Sequence, residues 1–277
     1  MTDKAVDDHK MPLLDHLIEL RSRLLKSVIA LVIAFLFCFF FAEPIYSFLT
    51  EPLAAILRER REDPRMIFTA LTEVFFTYVK VAFFAGAFIS CPIFLTQIWL
   101  FVAPGLYKKE QKALAPFLIS TPVLFFIGGA LVYYVIFPLA ATFLVGFEVP
   151  AGEGALAIEL EAKVGEYLSL IMKLIFAFGL CFQLPVLMTL LARVGLATSA
   201  GMAAKRKYAI VAVFVVAAVL TPPDPISQIS LALPIILLYE ISIYMAKMVE
   251  RKRAREEEEE EGEWADGEEK SLSLIHI

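Results

Sequence analysis

The stretch LLKSVIALVIAFLFCFFFA (Leu24–Ala42) carries a single charge, Lys26, across its whole length. An α-helix rises about 1.5 Å per residue, so about 20 apolar residues cross the roughly 30 Å of hydrocarbon in a bilayer. The stretch therefore predicts a membrane-spanning helix. Lipid offers no partner for backbone N–H and C=O groups, so a span must satisfy them internally, as a helix or a closed barrel. A barrel strand would be about ten residues long and would alternate apolar with polar side chains. Leu24–Ala42 does neither.

Working outward, five more blocks follow the same pattern: Val74–Ala103, Ala113–Leu144, Tyr167–Leu191, Tyr208–Leu220 and Ile226–Met245. Together they predict an all-α integral membrane protein with six transmembrane helices. The fifth block is short, about 20 Å as a helix. It implies local thinning of the bilayer or water entering from one side, and a re-entrant hairpin is the competing reading. Apolar residues make up 59% of the chain, 24 of them Phe, against about 45–50% in soluble domains. Cys38, Cys91 and Cys181 all fall inside apolar blocks, where thiols behave as small hydrophobes. The first block follows a charged lead and has no small-residue cleavage site after it, so it reads as a retained span.

Net charge is −5, but the acid is concentrated in the tail. Without residues 256–277, 24 Lys and Arg face 20 Asp and Glu. The cations also sort by side. Seventeen flank one set of span ends (Arg21, Arg23, Lys108, Lys205 and Arg251 among them), and five flank the other (Arg58, Arg60, Arg61, Arg65, Lys163). The positive-inside rule then places both termini in the cytoplasm. The expected organisation is a cytoplasmic segment over 1–23, a six-helix membrane domain over 24–247, and an acidic, disordered cytoplasmic tail over 248–277. Pro92, Pro116, Pro122, Pro138, Pro185 and Pro234 should kink their helices.

Polar groups at membrane depth are costly and mark candidate sites. Lys80 and Lys173 lie near span ends, where snorkelling to the interface explains them. Gln183 falls deep in the fourth block and Gln228 opens the sixth. Either could be interhelical glue. At the cytoplasmic face, HLIELRSR (His16–Arg23) packs Glu19, Arg21 and Arg23 against the first span, and FVAPGLYKKEQK (Phe101–Lys112) sets Glu110 among three Lys. Taken alone, each glutamate is more often a solvated or locally paired charge.

HLIELRSR, QIWLFVAPGLYKKE (Gln97–Glu110), FPLA (Phe137–Ala140), FGLCFQLPV (Phe178–Val186) and LTPPDPISQ (Leu220–Gln228) occur in order. In them the chain resembles the TatC family of the twin-arginine translocase, from about Leu14 to Lys247. The resemblance implies a concave, glove-like arrangement of six helices with two short final spans. It implies a receptor in the bacterial cytoplasmic membrane for signal peptides bearing paired arginines, with single-span TatA and TatB partners. Transport would be driven by the proton-motive force. It further implies signal-peptide contacts at Glu19, Arg21, Arg23, Phe101, Leu106 and Glu110, and partner or transport roles for Pro52, Asp224, Gln183 and Gln228. At Gln183 some family members carry Glu, so an ionisable role at that depth does not transfer.

No catalytic residue, metal or cofactor is expected, nor nucleic acid. Membrane lipid and self-association are. Two rivals stand beside this reading. A small-solute transporter would want an ionisable site near the midplane. An intramembrane enzyme would want HExxH or GxSxG, and neither occurs.

Overall fold

The computed structural model describes the backbone over residues 11–60, 65–102, 115–149, 160–221 and 225–275, and side chains over 17–59, 65–101, 118–149, 160–221 and 225–255. Regular structure among them is helical: α1 (Met11–Phe40), α2 (Ala42–Arg60), α3 (Glu73–Val102), α4 (Ala115–Leu131), a π-turn (Val132–Ile136), α5 (Phe137–Val145), α6 (Val164–Cys181), α7 (Leu184–Arg193), α8 (Ser199–Ala204), α9 (Arg206–Leu220) and α10 (Pro225–Ile275). Among the described residues one β-bridge pairs Ile67 with Lys163.

Among the described residues, five helical stretches are long and apolar enough to cross a membrane: Leu17–Phe40, Glu73–Phe101, Leu118–Val145, Val164–Arg193 and Pro225–Arg255. The sequence predicts six. The difference is the Tyr208–Leu220 block, which forms α9, a helix of 15 residues or about 22 Å. Two long blocks are not uniform helices. The stretch over 115–145 widens into the π-turn at Val132–Ile136, where the Phe137 N–H reaches back five residues to the Val132 carbonyl. Pro138 follows and has no N–H to offer the Tyr134 carbonyl. The fourth block breaks at Phe182–Gln183, and Pro185 stands in the first turn of α7. At the tail, α10 continues through the Glu run to Ile275, where composition predicts no regular structure. Glutamate is a good helix former, and this run simply extends a helix already nucleated in the span.

The chain divides into two compact units. The first comprises Met1–Phe182 and Ala217–Leu231. In it α1 and α3 run antiparallel: Arg23 meets Gln97, Phe35 meets Gly86, and Cys38 clusters with Ala82. Their backbones touch, because a Cβ on Gly86 would lie 2.7 Å from the Phe35 Cα. Small residues allow such approach between apolar helices, where packing rather than hydrophobic exclusion drives association. Phe84, Phe88, Phe125, Phe126 and Phe176 interlock where α3, α4 and α6 meet.

The helix α2 occupies a segment that its charges mark as an outer loop in the sequence. Its Leu49, Leu53 and Leu57 recur every fourth residue and are buried, while Glu51 and Arg58 face outward and pair at 2.8 Å. The spacing is that of an amphipathic helix lying on a core.

The second unit comprises Gln183–Val216 and Ala232–Ile277. Ala192, Met202, Ile243 and Ala246 form its core. Polar contacts hold the α7–α9 connection to α10. Glu250 accepts from the Ser199 N–H at 2.6 Å and from its hydroxyl. Arg206 pairs with Glu240 at 2.8 Å. The Tyr239 hydroxyl donates to the Met202 carbonyl at 3.0 Å, and Arg253 donates to the Arg193 carbonyl at 3.4 Å.

Candidate functional site

Of the residues expected to meet a signal peptide, the structure gathers Glu19, Arg23 and Phe101 at one end of the α1–α3 pair. Glu19 and Arg23 are one turn apart on α1. The Arg23 Nε donates to Glu19 Oε1 at 3.0 Å, and Nη2 donates to the same oxygen at 2.5 Å. Nη1 reaches across to the Gln97 Oε1 of α3 at 3.5 Å. The two charged side chains keep 20% and 31% of their exposure, so water still screens the pair. Its net contribution is therefore of the order of 1 kcal/mol or less. Its value is geometric: a guanidinium's planar fork holds a carboxylate and an amide in fixed directions, where an ammonium's three donors rotate freely.

Glu19 is thus not a bare carboxylate awaiting a cation. It arrives already oriented by Arg23. Phe101 lies one turn beyond Gln97 and is half-buried. Arg21 is exposed and makes no hydrogen bond or ion pair with a described residue. Leu106 and Glu110 lie outside the described residues, and so does Asp224.

Gln97 and Trp99 stand inside a family motif, yet the sequence alone gives neither a role. Both have one here. Trp99 is buried, and its indole N–H donates to the Thr121 hydroxyl at 3.0 Å, tying α3 to α4 two residues before Phe101. A buried indole N–H needs an acceptor, and Thr121 sits at the matching height. The available signal was a polar residue two positions from a Trp at the end of an apolar block.

The opposite end carries Pro52. It lies inside α2 and is half-buried. Lacking an N–H, it leaves the Phe48 carbonyl without its helical donor. The Tyr133 hydroxyl donates to that carbonyl at 2.7 Å, and the Tyr167 hydroxyl donates to the neighbouring Leu49 carbonyl at 2.7 Å. Two tyrosines from the π-turn and α6 therefore brace the proline turn. Glu73 acts similarly at the start of α3: it accepts from the Thr69 N–H at 2.8 Å, Ala70 N–H at 3.3 Å and Gly165 N–H at 3.3 Å, joining the α3 lead to the first turn of α6. Nothing in the local sequence marks these bracing residues.

The remaining two candidates belong to different compact units. Gln183 is buried in the turn before α7, and Gln228 is half-buried in the first turn of α10.

Long apolar helices with an acid–guanidinium–amide cluster at one end define a multi-span membrane protein. Known proteins say which. The family model "Sec-independent protein translocase protein (TatC)" matches residues 15–234. The Sec-independent protein translocase protein TatC of Magnetococcus marinus is 52% identical over 258 residues, covering 93% of this chain and 92% of that protein. The Escherichia coli K12 protein of the same name is 40% identical over 254 residues, covering 91% and 95%. A crystal structure of the twin arginine translocase receptor TatC aligns with TM-score 0.72 and 35% identity, over 84% of this chain and 99% of that one. The chain belongs to the TatC family and is a subunit of the twin-arginine protein translocase, a translocase component and not an enzyme. The small-solute transporter reading has no support from these relatives.

Proposed function

We propose that this chain is the translocase's receptor for twin-arginine signal peptides and reads the paired arginines at the Glu19 end of α1 and α3. The observation that carries this is the Arg23–Gln97 contact. It draws the foot of α1 beside the end of α3, from which the segment bearing Leu106 and Glu110 continues within eight residues of Val102. A second carboxylate in that segment, Glu110, would match a second guanidinium. Bidentate geometry selects arginine over lysine. Lys108, Lys109 and Lys112, in the same stretch of sequence as Glu110, would repel other cations, and the apolar part of the peptide supplies most of the affinity, since a micromolar complex needs about 8 kcal/mol and exposed ion pairs give about 0.2–1 kcal/mol each.

The same proposal includes a sixth, short span at α9. Only with that crossing do the cations around Arg193–Lys207 and Lys247–Arg255 share a side with Arg21 and Arg23, which sets both termini in the cytoplasm of a bacterial inner membrane. The concave arrangement implied by the family goes with it. TatA and TatB would be the single-span partners, with Pro52, Gln183, Asp224 and Gln228 as the residues assigned to partner contact or transport. Self-association belongs to the same assembly, and the proton-motive force would drive export.

Photo-crosslinkers at Ile18 and Phe101, which leave Glu19 and Glu110 in place, test the site with precursors carrying Arg-Arg or Lys-Lys. The expected result is label transfer from both positions to the Arg-Arg precursor alone, with that preference lost in Glu19→Gln and in Glu110→Gln. Replacing Arg23 by Lys removes the fork that links Glu19 to Gln97, and should weaken capture of the Arg-Arg precursor about fivefold, the equivalent of the roughly 1 kcal/mol of one solvent-screened ion pair. An unchanged preference for Arg-Arg in both Gln variants would remove the basis of the proposal.

A further inference from the structure

Lys80 and Lys173 have no role in the site above. Lys80 stands seven residues into α3 and Lys173 nine into α6, about 10 and 14 Å along their helices. Helix α3 has 30 residues, or about 45 Å against about 30 Å of hydrocarbon, so these positions fall near the lipid boundary and not at the midplane. Both side chains are exposed, and neither makes a hydrogen bond or ion pair with any described residue.

They line one groove of about 460 Å³ between α3 and α6. Two carboxylates stand at its mouth, Glu73 and Glu166, and both are already engaged. Glu73 accepts from three backbone N–H groups, and Glu166 pairs with Lys163 at 3.3 Å. The Ser169 hydroxyl is spent on the Gly165 carbonyl at 2.6 Å. Phe76, Leu170 and Leu220 supply apolar wall. One turn deeper, Phe84 and Phe176 meet edge to face with ring centroids 6.4 Å apart and close the space between the helices.

We infer that this groove binds the phosphodiester headgroup of an anionic phospholipid, held by the Lys80 and Lys173 ammonium groups, with an acyl chain against Phe76, Leu170 and Leu220. Lysine stems reach outward from just inside the hydrocarbon toward the headgroup layer, which is where the bilayer itself presents phosphate. Two cations on facing helices line it, and neither is paired with the two carboxylates there, which are held by Lys163 and by backbone N–H groups. The headgroup completes the α3–α6 wall that the protein leaves open.

The test is native mass spectrometry of the full chain in mild detergent, titrated separately with phosphatidylglycerol and phosphatidylcholine. The native chain is expected to retain phosphatidylglycerol in preference. Lys80→Gln and Lys173→Gln should each weaken retention about fivefold, and the double variant should lose the preference. The Lys80→Arg, Lys173→Arg double variant should keep it, which separates loss of charge from loss of fold. Arg58→Gln, at the same end but paired with Glu51 and outside the groove, should change nothing. Four results would overturn the assignment: equal retention of both lipids by the native chain, unchanged preference in the double Gln variant, displacement of the lipid by millimolar inorganic phosphate, or loss of a co-purified single-span subunit from the double Gln variant with lipid retention intact.

Discussion

The Tyr133 ring lies flat on the Phe48 ring, centroids 4.3 Å apart and planes within 6°, while its hydroxyl donates to the Phe48 backbone carbonyl at 2.7 Å. That carbonyl is the one Pro52 cannot serve, being four residues before it. A defect written into α2 by the sequence is thus repaired from the π-turn, 85 positions beyond that carbonyl. Widened turns of this kind are frequent at functional sites within helices.

Replacing Tyr133 by Phe keeps the stacked ring and removes only the donor. Thermal unfolding in detergent should show a loss of about 1 kcal/mol. In a Pro52→Ala background the amide N–H restored at that position can serve the Phe48 carbonyl, so the same Tyr133→Phe change should cost clearly less. Equal losses in both backgrounds would mean that the hydroxyl does not compensate for the proline.

Gly86 sets the distance between α1 and α3. A methyl there would press on the Phe35 backbone at 2.7 Å, and backbone cannot yield as a side-chain tip can. Gly86→Ala should destabilise the chain by about 1–3 kcal/mol, as overpacking does. It should also lower disulfide formation between cysteines placed at Arg23 and Gln97, since those positions depend on the same crossing. Normal cross-linking in that variant would separate the site from the crossing.

Glu250 holds Ser199, the first residue of α8, by two hydrogen bonds. A carboxylate at a helix N-terminus also meets the positive end of the helix dipole. Glu250→Ala should cost about 1.5–3 kcal/mol, as expected for a hydrogen bond to a charged group, with Glu250→Gln recovering part of it. Amide exchange at Ser199 should rise with the loss. If exchange there is unaffected, the contact does not hold the connection between α7 and α9.

Much of this protein is legible in its residues. Apolar blocks of bilayer length, such as Leu24–Ala42, announce helices because lipid permits an isolated segment little else. Motifs such as HLIELRSR and QIWLFVAPGLYKKE carry the family. The α2 helix is legible too, in the four-residue spacing of Leu49, Leu53 and Leu57, but charges such as Arg58 and Arg60 mask it as a loop. The break at Phe182–Gln183 is harder to see, since a proline near the middle of an apolar block signals a kink without saying whether the helix resumes at once.

Roles that depend on partners distant in sequence could not be read in advance. Gln97 gains meaning only from Arg23, Trp99 from Thr121, and Tyr133 and Tyr167 from the carbonyls near Pro52. The sequence by itself determined that this is a helical membrane protein of the TatC family, because hydropathy over about 20 residues is a local property that does not wait for neighbours. Which polar groups meet was decided only by the tertiary structure. A hydrogen bond requires donor and acceptor within about 3 Å of each other, and close crossings such as that at Gly86 bring together groups that the chain keeps far apart.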